Sequence, residues 1–333
     1  MDIALEDHPI HKNQHGFQRG LSTETAISKT VNYIEKHINS GKEVLGVFLG
    51  IQAAFDTICP KHIKASLLKH GADHDLAEFY YNYITNRHLT TTIGGYTHTV
   101  TVGIGFPQGG VCSAKFWIVA FNEAIEIINE YGVTGQGFAD DCGPMIGGNN
   151  THDMYKSMQR MLNKLYHWGE GKNLKFNPAK TIAVLFSKKH KPKKKYLKLG
   201  GKFIKHETSV KYLGVILDRR LSWREHINER ISTCKAMLLN ITNKYRHTHR
   251  AKPKLMKWIY TGIIRPKLTY VCLIWGHKIN TRTITNKLNG LNRLACNLTT
   301  NLTRTTPQMS LEIILNIEPL DIHIKKVGLT AYK

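Results

Sequence analysis

The stretch Gly137-Phe138-Ala139-Asp140-Asp141-Cys142-Gly143 sets two adjacent carboxylates among small and apolar residues. Phe138 and Ala139 before the pair, and Met145 and Ile146 after it, read as two short strands, so the aspartates fall at the tip of a hairpin. Ionised side chains crowded onto a tip repel one another, and a cation or solvent must offset that repulsion. A Mg²⁺ or Mn²⁺ site therefore stands against the simpler reading of a solvated turn. The surrounding pattern has to decide between them.

Upstream, Gly103-Ile104-Gly105-Phe106-Pro107-Gln108-Gly109-Gly110 reads as a loop opening a helix that runs from about Val111 to Glu130. Its small residues let backbone approach a flat ligand, Gln108 supplies a donor and an acceptor, and free N–H groups ahead of a helix favour phosphate. Val44 to Leu49 is a continuous apolar run, as expected of a central strand covered on both faces. Before it, Ser22 or Thr23 caps a helix carrying Ile27, Val31, Ile34 and Ile38 and ending at Gly41. Pro60 opens another helix that stops at Gly71, Leu76 to Tyr83 marks a third, and β-rich runs flank Gly94-Gly95 as a hairpin.

Downstream, Met154, Met158, Met161, Leu165 and Trp168 form one helical stripe, read as core packing rather than a binding surface. Thr181 to Phe186 is a strand, and Val210 to Leu217 reads as another, unbroken. Beyond Ser222 strand signals fade into helices with basic faces. The order of elements gives an α/β (α+β) fold, a sheet domain with a helical appendage.

With 333 residues, the length suggests about two domains. Lys and Arg number 47 against 24 acidic residues, a formal charge of +23 that would hold the chain to a polyanion, with nucleic acid the leading partner. The basic residues are spread along the chain, and no apolar run approaches the roughly 20 residues needed to span a bilayer, so no membrane partner is expected. Six cysteines without a C-x-x-C pair argue for a reducing compartment and against structural zinc. His247 and His249, set among cations, are read as surface. Met1-Asp2-Ile3 opens no signal peptide, so an intracellular, cytoplasmic protein is expected. A nuclear address is also open, because Lys188-Lys189-His190-Lys191-Pro192-Lys193-Lys194-Lys195 resembles a basic localisation signal as well as a solvated loop.

Order and spacing add a resemblance. Ile51-Gln52-Ala53-Ala54-Phe55-Asp56, Phe106-Pro107-Gln108-Gly109, Phe138-Ala139-Asp140-Asp141, Asn177-Pro178-Ala179-Lys180-Thr181 and Tyr212-Leu213-Gly214 resemble, in that order, the palm motifs of reverse transcriptases. The likeness is greatest to the non-LTR retrotransposon (LINE-type, jockey-like) branch. Gln14-His15-Gly16-Phe17 with Ser22-Thr23 looks like its late fingers motif. Leu217 to Trp223, and Ile264 to Tyr270 with Trp275-Gly276, resemble its thumb. The resemblance implies a palm with an antiparallel sheet and packed helices over residues 44–221, partial fingers over 1–43 and a helical thumb over 222–333.

It also implies two-metal nucleotidyl transfer on an RNA template and a DNA primer, with deoxynucleotide triphosphates as substrates and two Mg²⁺ (or Mn²⁺) ions roughly 4 Å apart. Asp140 would be a direct metal ligand and Asp141 a weaker one, with Lys180 near the pyrophosphate assisting proton transfer. Phe55 would sit against the incoming sugar, Gln108 and Gly109 would line the nucleotide and template pocket, and Tyr212, Leu213 and Gly214 would grip the primer end. The basic helices after Ser222 would track the duplex backbone.

One departure matters most. The family pattern Phe-Leu-Asp-Ile reads Phe48-Leu49-Gly50-Ile51 here, and glycine coordinates nothing. Asp56 is a poor substitute, because about 3.3 Å per strand residue carries it away from the metals. Gln18 replaces the arginine of the fingers motif, and Arg19 is the residue to compensate by contacting nucleotide phosphate. An N-terminally truncated copy with severely impaired polymerase activity, lacking endonuclease and RNase H regions, is the expectation. The alternatives are a non-catalytic nucleic-acid-binding remnant, an inert product of a degenerate element, and a group II intron-like maturase.

Overall fold

In a computed structural model that describes residues 8–244, 252–303 and 305–330, the central apolar run forms strand β1 (Glu43–Phe48), buried at every position. The reading of His247 and His249 lies outside the described residues. The chain divides into two units, Met1–Gly214 and Val215–Lys333.

The first unit is built on α1 (Thr23–Asn39), β1, α2 (Pro60–Lys69), α3 (His74–Thr85), β2 (Arg87–Ile93), β3 (Tyr96–Val102), α4 (Ser113–Ile128), β4 (Thr134–Phe138), β5 (Asp141–Gly148), α5 (Thr151–Gly171), β6 (Ile182–Phe186) and β7 (Lys205–Glu207). Strands β7, β6, β1, β5 and β4 lie side by side in that order. β1 is antiparallel to β5, with Gly46 opposite Met145, and to β6, with Phe48 opposite Ile182. Side chains alternate faces along a strand, and both faces of β1 are covered, which is why its sequence shows no polar alternation. Ser22 caps α1 in a reciprocal pair with Thr25, and Ile27, Val31, Ile34 and Ile38 fill its buried face. The methionine stripe of α5 is core, as expected of flexible thioethers that fill irregular gaps.

Glu43 is the buried acid of the sheet, at 2% exposure. Burial alone would raise its carboxyl; bonds from Ser187, Lys189 and Thr151 outweigh that and hold it below the ordinary range. Lys189 belongs to the basic run 188–195, an exposed segment without regular structure. Its neighbours Lys188 and Lys195 are also engaged, with Asn39 and His152.

The expected single strand from Val210 to Leu217 is corrected by the structure. Extended segments cover Ser209–Tyr212 and Val215–Asp218, and the chain turns between them, where Leu213 and Gly214 take φ of 45° and 80°. An apolar run cannot distinguish one strand from two, and Gly214 is the residue that admits the left-handed turn.

The second unit is helical: α6 (Arg224–Lys244), α7 (Pro253–Ile259), α8 (Arg282–Thr300), α9 (Gln308–Leu315) and α10 (Leu320–Thr330). Trp223 and Trp275 are fully buried in it. Arg265, 3% exposed, donates to the Glu318 carbonyl and to Asn292, which in turn bonds Glu312 and Tyr260. A buried guanidinium is tolerated only with such partners. No helix among the described residues is long and apolar enough to cross a membrane.

Candidate active site

The Asp140-Asp141 pair sits where a short turn joins β4 to β5, with Phe138 opposite Asp141. Ala139 holds the turn at φ 57°, a left-handed conformation that costs a non-glycine residue about 1 kcal/mol and persists only where its surroundings impose it. Those surroundings come from the N-terminal segment. The backbone of Asn13 to His15 runs beside β4: His15 N donates to the Gly137 carbonyl at 2.7 Å, and Gly137 N to the Asn13 carbonyl at 2.8 Å. This covers the outer edge of the sheet. The His15 ring is fully buried, bonded to Thr25 Oγ1 at 2.7 Å and to Gln136 Oε1 at 2.9 Å. Gly16 lies so close to the turn that a Cβ there would stand 2.4 Å from the Ala139 nitrogen. The motif around Gly16 is therefore fastened to the aspartate hairpin, a relation the sequence reading missed.

The facing wall is the end of β1. Leu49 N donates to the Cys142 carbonyl at 2.9 Å, Gly50 N to Thr181 Oγ1 at 3.2 Å, and Asn177 N to the Gly50 carbonyl at 2.7 Å. Gly50, Asp140, Asp141, Lys180, Lys211 and Tyr212 thus line one cavity of about 250 Å³. Asp140 is half-buried and Asp141 is exposed. Desolvation, and then the adjacent Asp140 carboxylate, raise the Asp141 carboxyl above its ordinary value. The Tyr212 ring is buried against Phe48, with centroids 5.1 Å apart, and its hydroxyl donates to the Gln136 carbonyl at 2.9 Å. Burial pushes that phenol well above its usual range. Tyr212 and His15 thus both bond Gln136, one on its backbone and one on its side chain.

The other residues singled out from sequence stand outside this cavity. Phe55 is half-buried, stacked on Trp117 at 5.3 Å and edge-on to Phe106 at 5.1 Å. Phe106 N donates to the Phe55 carbonyl at 2.9 Å, which ties Phe55 to the loop where Gln108 and Gly109 are exposed. Arg19 is exposed, and Leu213 and Gly214 form the turn already described.

Two divalent ions need carboxylates on both walls, and this cavity has them on one. Position 50 offers no donor atom, and a Cβ built there would stand 2.6 Å from the Lys180 Cβ. Among the described residues no three His, Cys, Asp or Glu side chains cluster to hold a metal. The residues present do not fit a two-ion site.

Residues 2–217 match the family described as reverse transcriptase (RNA-dependent DNA polymerase). The probable RNA-directed DNA polymerase from transposon BS of Drosophila melanogaster is 25% identical over 290 residues, covering 83% of this chain and 31% of that protein. The RNA-directed DNA polymerase from mobile element jockey of the same species is 23% identical over 275 residues, covering 80% of this chain and 30% of that protein. The chain thus spans about a third of the length of these curated relatives. Among solved structures, apo telomerase from Candida tropicalis superposes with a TM-score of 0.50 at 10% identity, over 99% of this chain and 57% of that one, a likeness of fold alone.

Proposed function

The chain belongs to the reverse transcriptase (RNA-dependent DNA polymerase) family, and from that membership we propose that it is the polymerase domain of a non-LTR retrotransposon with its nucleotidyl transfer severely impaired. The observation that carries the impairment is Gly50 in the wall facing Asp140 and Asp141. Losing a single transition-state hydrogen-bond donor already costs about 3 kcal/mol, or 10²- to 10³-fold in rate. Losing a carboxylate expected to bridge both Mg²⁺ (or Mn²⁺) ions costs more.

An RNA template, a DNA primer and deoxynucleotide triphosphates are the substrates that family membership implies. Phe55, braced by Phe106 and Trp117, is assigned to the sugar of the incoming nucleotide. Gln108, Gly109 and Arg19 are assigned to its base and phosphates. Tyr212 is assigned to the primer end through its backbone, because its hydroxyl is committed to Gln136. Lys180, exposed at the cavity, retains a cation that can meet a phosphate. An intracellular location, with nuclear access through the exposed run 188–195, fits these substrates.

The charge of the whole chain supports the second reading, a nucleic-acid binder without catalysis, because the formal +23 does not depend on Gly50. Measuring duplex binding and nucleotide incorporation on one primer–template sample separates the two. Salt-sensitive binding with residual incorporation supports an impaired polymerase, binding with none supports the remnant, and absence of binding refutes both.

A further inference from the structure

The hairpin of β2 and β3 has both faces open to solvent. Each strand runs seven residues, every position from His88 to Thr101 is exposed, and among the described residues the two strands pair only with each other. Gly94 and Gly95 take φ of 58° and 84°, the two-residue turn that sets Ile93 opposite Tyr96. Residues directly opposite share a face, so Leu89 with Val100, Thr91 with His98 and Ile93 with Tyr96 form one side of the ribbon. The other side is polar and satisfied within itself. Thr90 Oγ1 bonds Thr99 Oγ1 at 3.0 Å, Thr92 Oγ1 bonds Thr97 Oγ1 at 3.1 Å, and Thr101 Oγ1 bonds His88 Nδ1 at 3.2 Å.

The first side is apolar and uncovered: Leu89, Ile93 and Tyr96 are 62%, 76% and 86% exposed. A lone two-stranded ribbon is marginally stable at best in water, and burying its apolar face is what would hold it. Soluble proteins guard long exposed strands with lysine, proline or a bulge. β2 and β3 contain no Lys or Pro and pair without a bulge.

Charge selects the occupant. Residues 88–114 hold no Asp, Glu, Lys or Arg, the longest such stretch in a chain of formal charge +23. The ribbon therefore offers a phosphate backbone or an acidic protein no lysine or arginine to pair with. Two copies of this chain repel through their charged surfaces and least through a neutral one, so a neutral apolar face is where they can meet. Seven residues at about 3.3 Å each and two strands about 4.8 Å apart give a face of roughly 230 Å². A contact of that size belongs to the weak, concentration-dependent class.

We infer that the apolar face of this hairpin is a self-association surface, packing against the same face of a second copy across a two-fold axis at its middle pair, Thr91 and His98. The contact is self-complementary: Leu89 and Val100 of one copy and Ile93 and Tyr96 of the other close over that pair from its two ends.

The test is sedimentation of the full chain, freed of nucleic acid by nuclease, over about 1 to 100 μM protein and about 0.1 to 0.5 M salt. The expected result is a monomer–dimer equilibrium that tightens with salt, because screening weakens repulsion between the copies. Ile93→Lys with Tyr96→Lys is expected to leave the chain monomeric throughout. Ile313→Lys, at an exposed apolar position of α9 in the second unit, is expected to dimerise like the native chain. Thermal melts check that each variant is folded. Added cysteines read the geometry separately: under diamide, Thr91→Cys should give a covalent dimer that the native chain does not, and Thr90→Cys, on the threonine side, should not. A native chain that stays monomeric overturns the proposal, as does a dimer that weakens with salt, survives the paired lysines or is lost in Ile313→Lys. Equal cross-linking from both cysteines overturns the assigned face. Growth beyond two copies would mark the open strand edges as the contact and overturn the two-fold pairing.

Discussion

A side chain at Gly50 would place its Cβ 2.6 Å from the Cβ of Lys180 and 3.2 Å from the Lys180 carbonyl carbon. Carbon atoms in van der Waals contact stand about 3.5 to 4.0 Å apart, so the stem of Lys180 already occupies the space that the family's aspartate would need. Restoring the acid alone therefore overpacks the site. Gly50→Asp is expected to lose about 1 to 3 kcal/mol in urea unfolding, and Gly50→Asp with Lys180→Gly to recover most of it. Additive losses in the double variant would show that the two positions are independent.

Stability should fall on acidification before the carboxylates held below 4.5 titrate. Burial holds the imidazoles of His11, His15, His62 and His206 below 6.5. The unfolded chain then binds more protons than the folded one, so stability is fully present above about 6.5 and declines as pH falls toward the folded values. Carboxylates held below 4.5, Glu43 and Glu123 among them, add a second loss at lower pH. Melting temperatures across this range should decline in two stages, and His15→Gln should flatten the first. A flat profile down to pH 5 contradicts this.

Gly16 is the tightest point between the N-terminal segment and the aspartate turn. Gly16→Ala drives a methyl into the Ala139 nitrogen, 2.4 Å from its ideal position, against backbone with no rotamer to yield. A loss of about 1 to 3 kcal/mol is expected. Faster amide exchange at Ala139 to Cys142 should accompany it, and unchanged exchange there would show that the segment does not brace the turn.

Arg87 clamps the base of the β2–β3 hairpin. Its Nε donates to the Ile84 carbonyl at 2.7 Å, and Nη2 to the carbonyls of Ile104 and Gly105, each at 2.8 Å. Charge-assisted bonds of this kind contribute about 1.5 to 3 kcal/mol each when buried and less where solvent competes. Arg87→Ala should raise proteolysis within residues 103–110, the loop carrying Gln108, with little change in global melting. Arg87→Lys should not rescue it, because one ammonium cannot reproduce the planar fork.

Local chemistry made much of the fold legible. The helix cap expected at Ser22 or Thr23 and found at Ser22, the unbroken burial of β1, the Gly94-Gly95 turn and the aspartate hairpin all follow from residue types a few positions apart. The cavity was legible only through the order of motifs, since Gly50, Asp140 and Lys180 meet by sheet pairing across long stretches of sequence. Two features left no local trace. The docking of Asn13 to Gly16 on β4 joins backbones more than 120 residues apart, and the closure of Lys180 over Gly50 depends on a loop's path. Periodicity reports which face of an element is buried; it does not report what that face meets.

The most direct measurement is primer extension on a defined RNA template, with Mg²⁺ or Mn²⁺, by the native chain beside its Asp140→Asn variant. With the facing wall already empty at Gly50, removing an acid from the remaining pair should change little, and the two rates should agree within about tenfold. A native rate higher than that of Asp140→Asn by about 10²-fold or more would mean that the cavity assembles a working site without a carboxylate at position 50, and would contradict the proposed impairment.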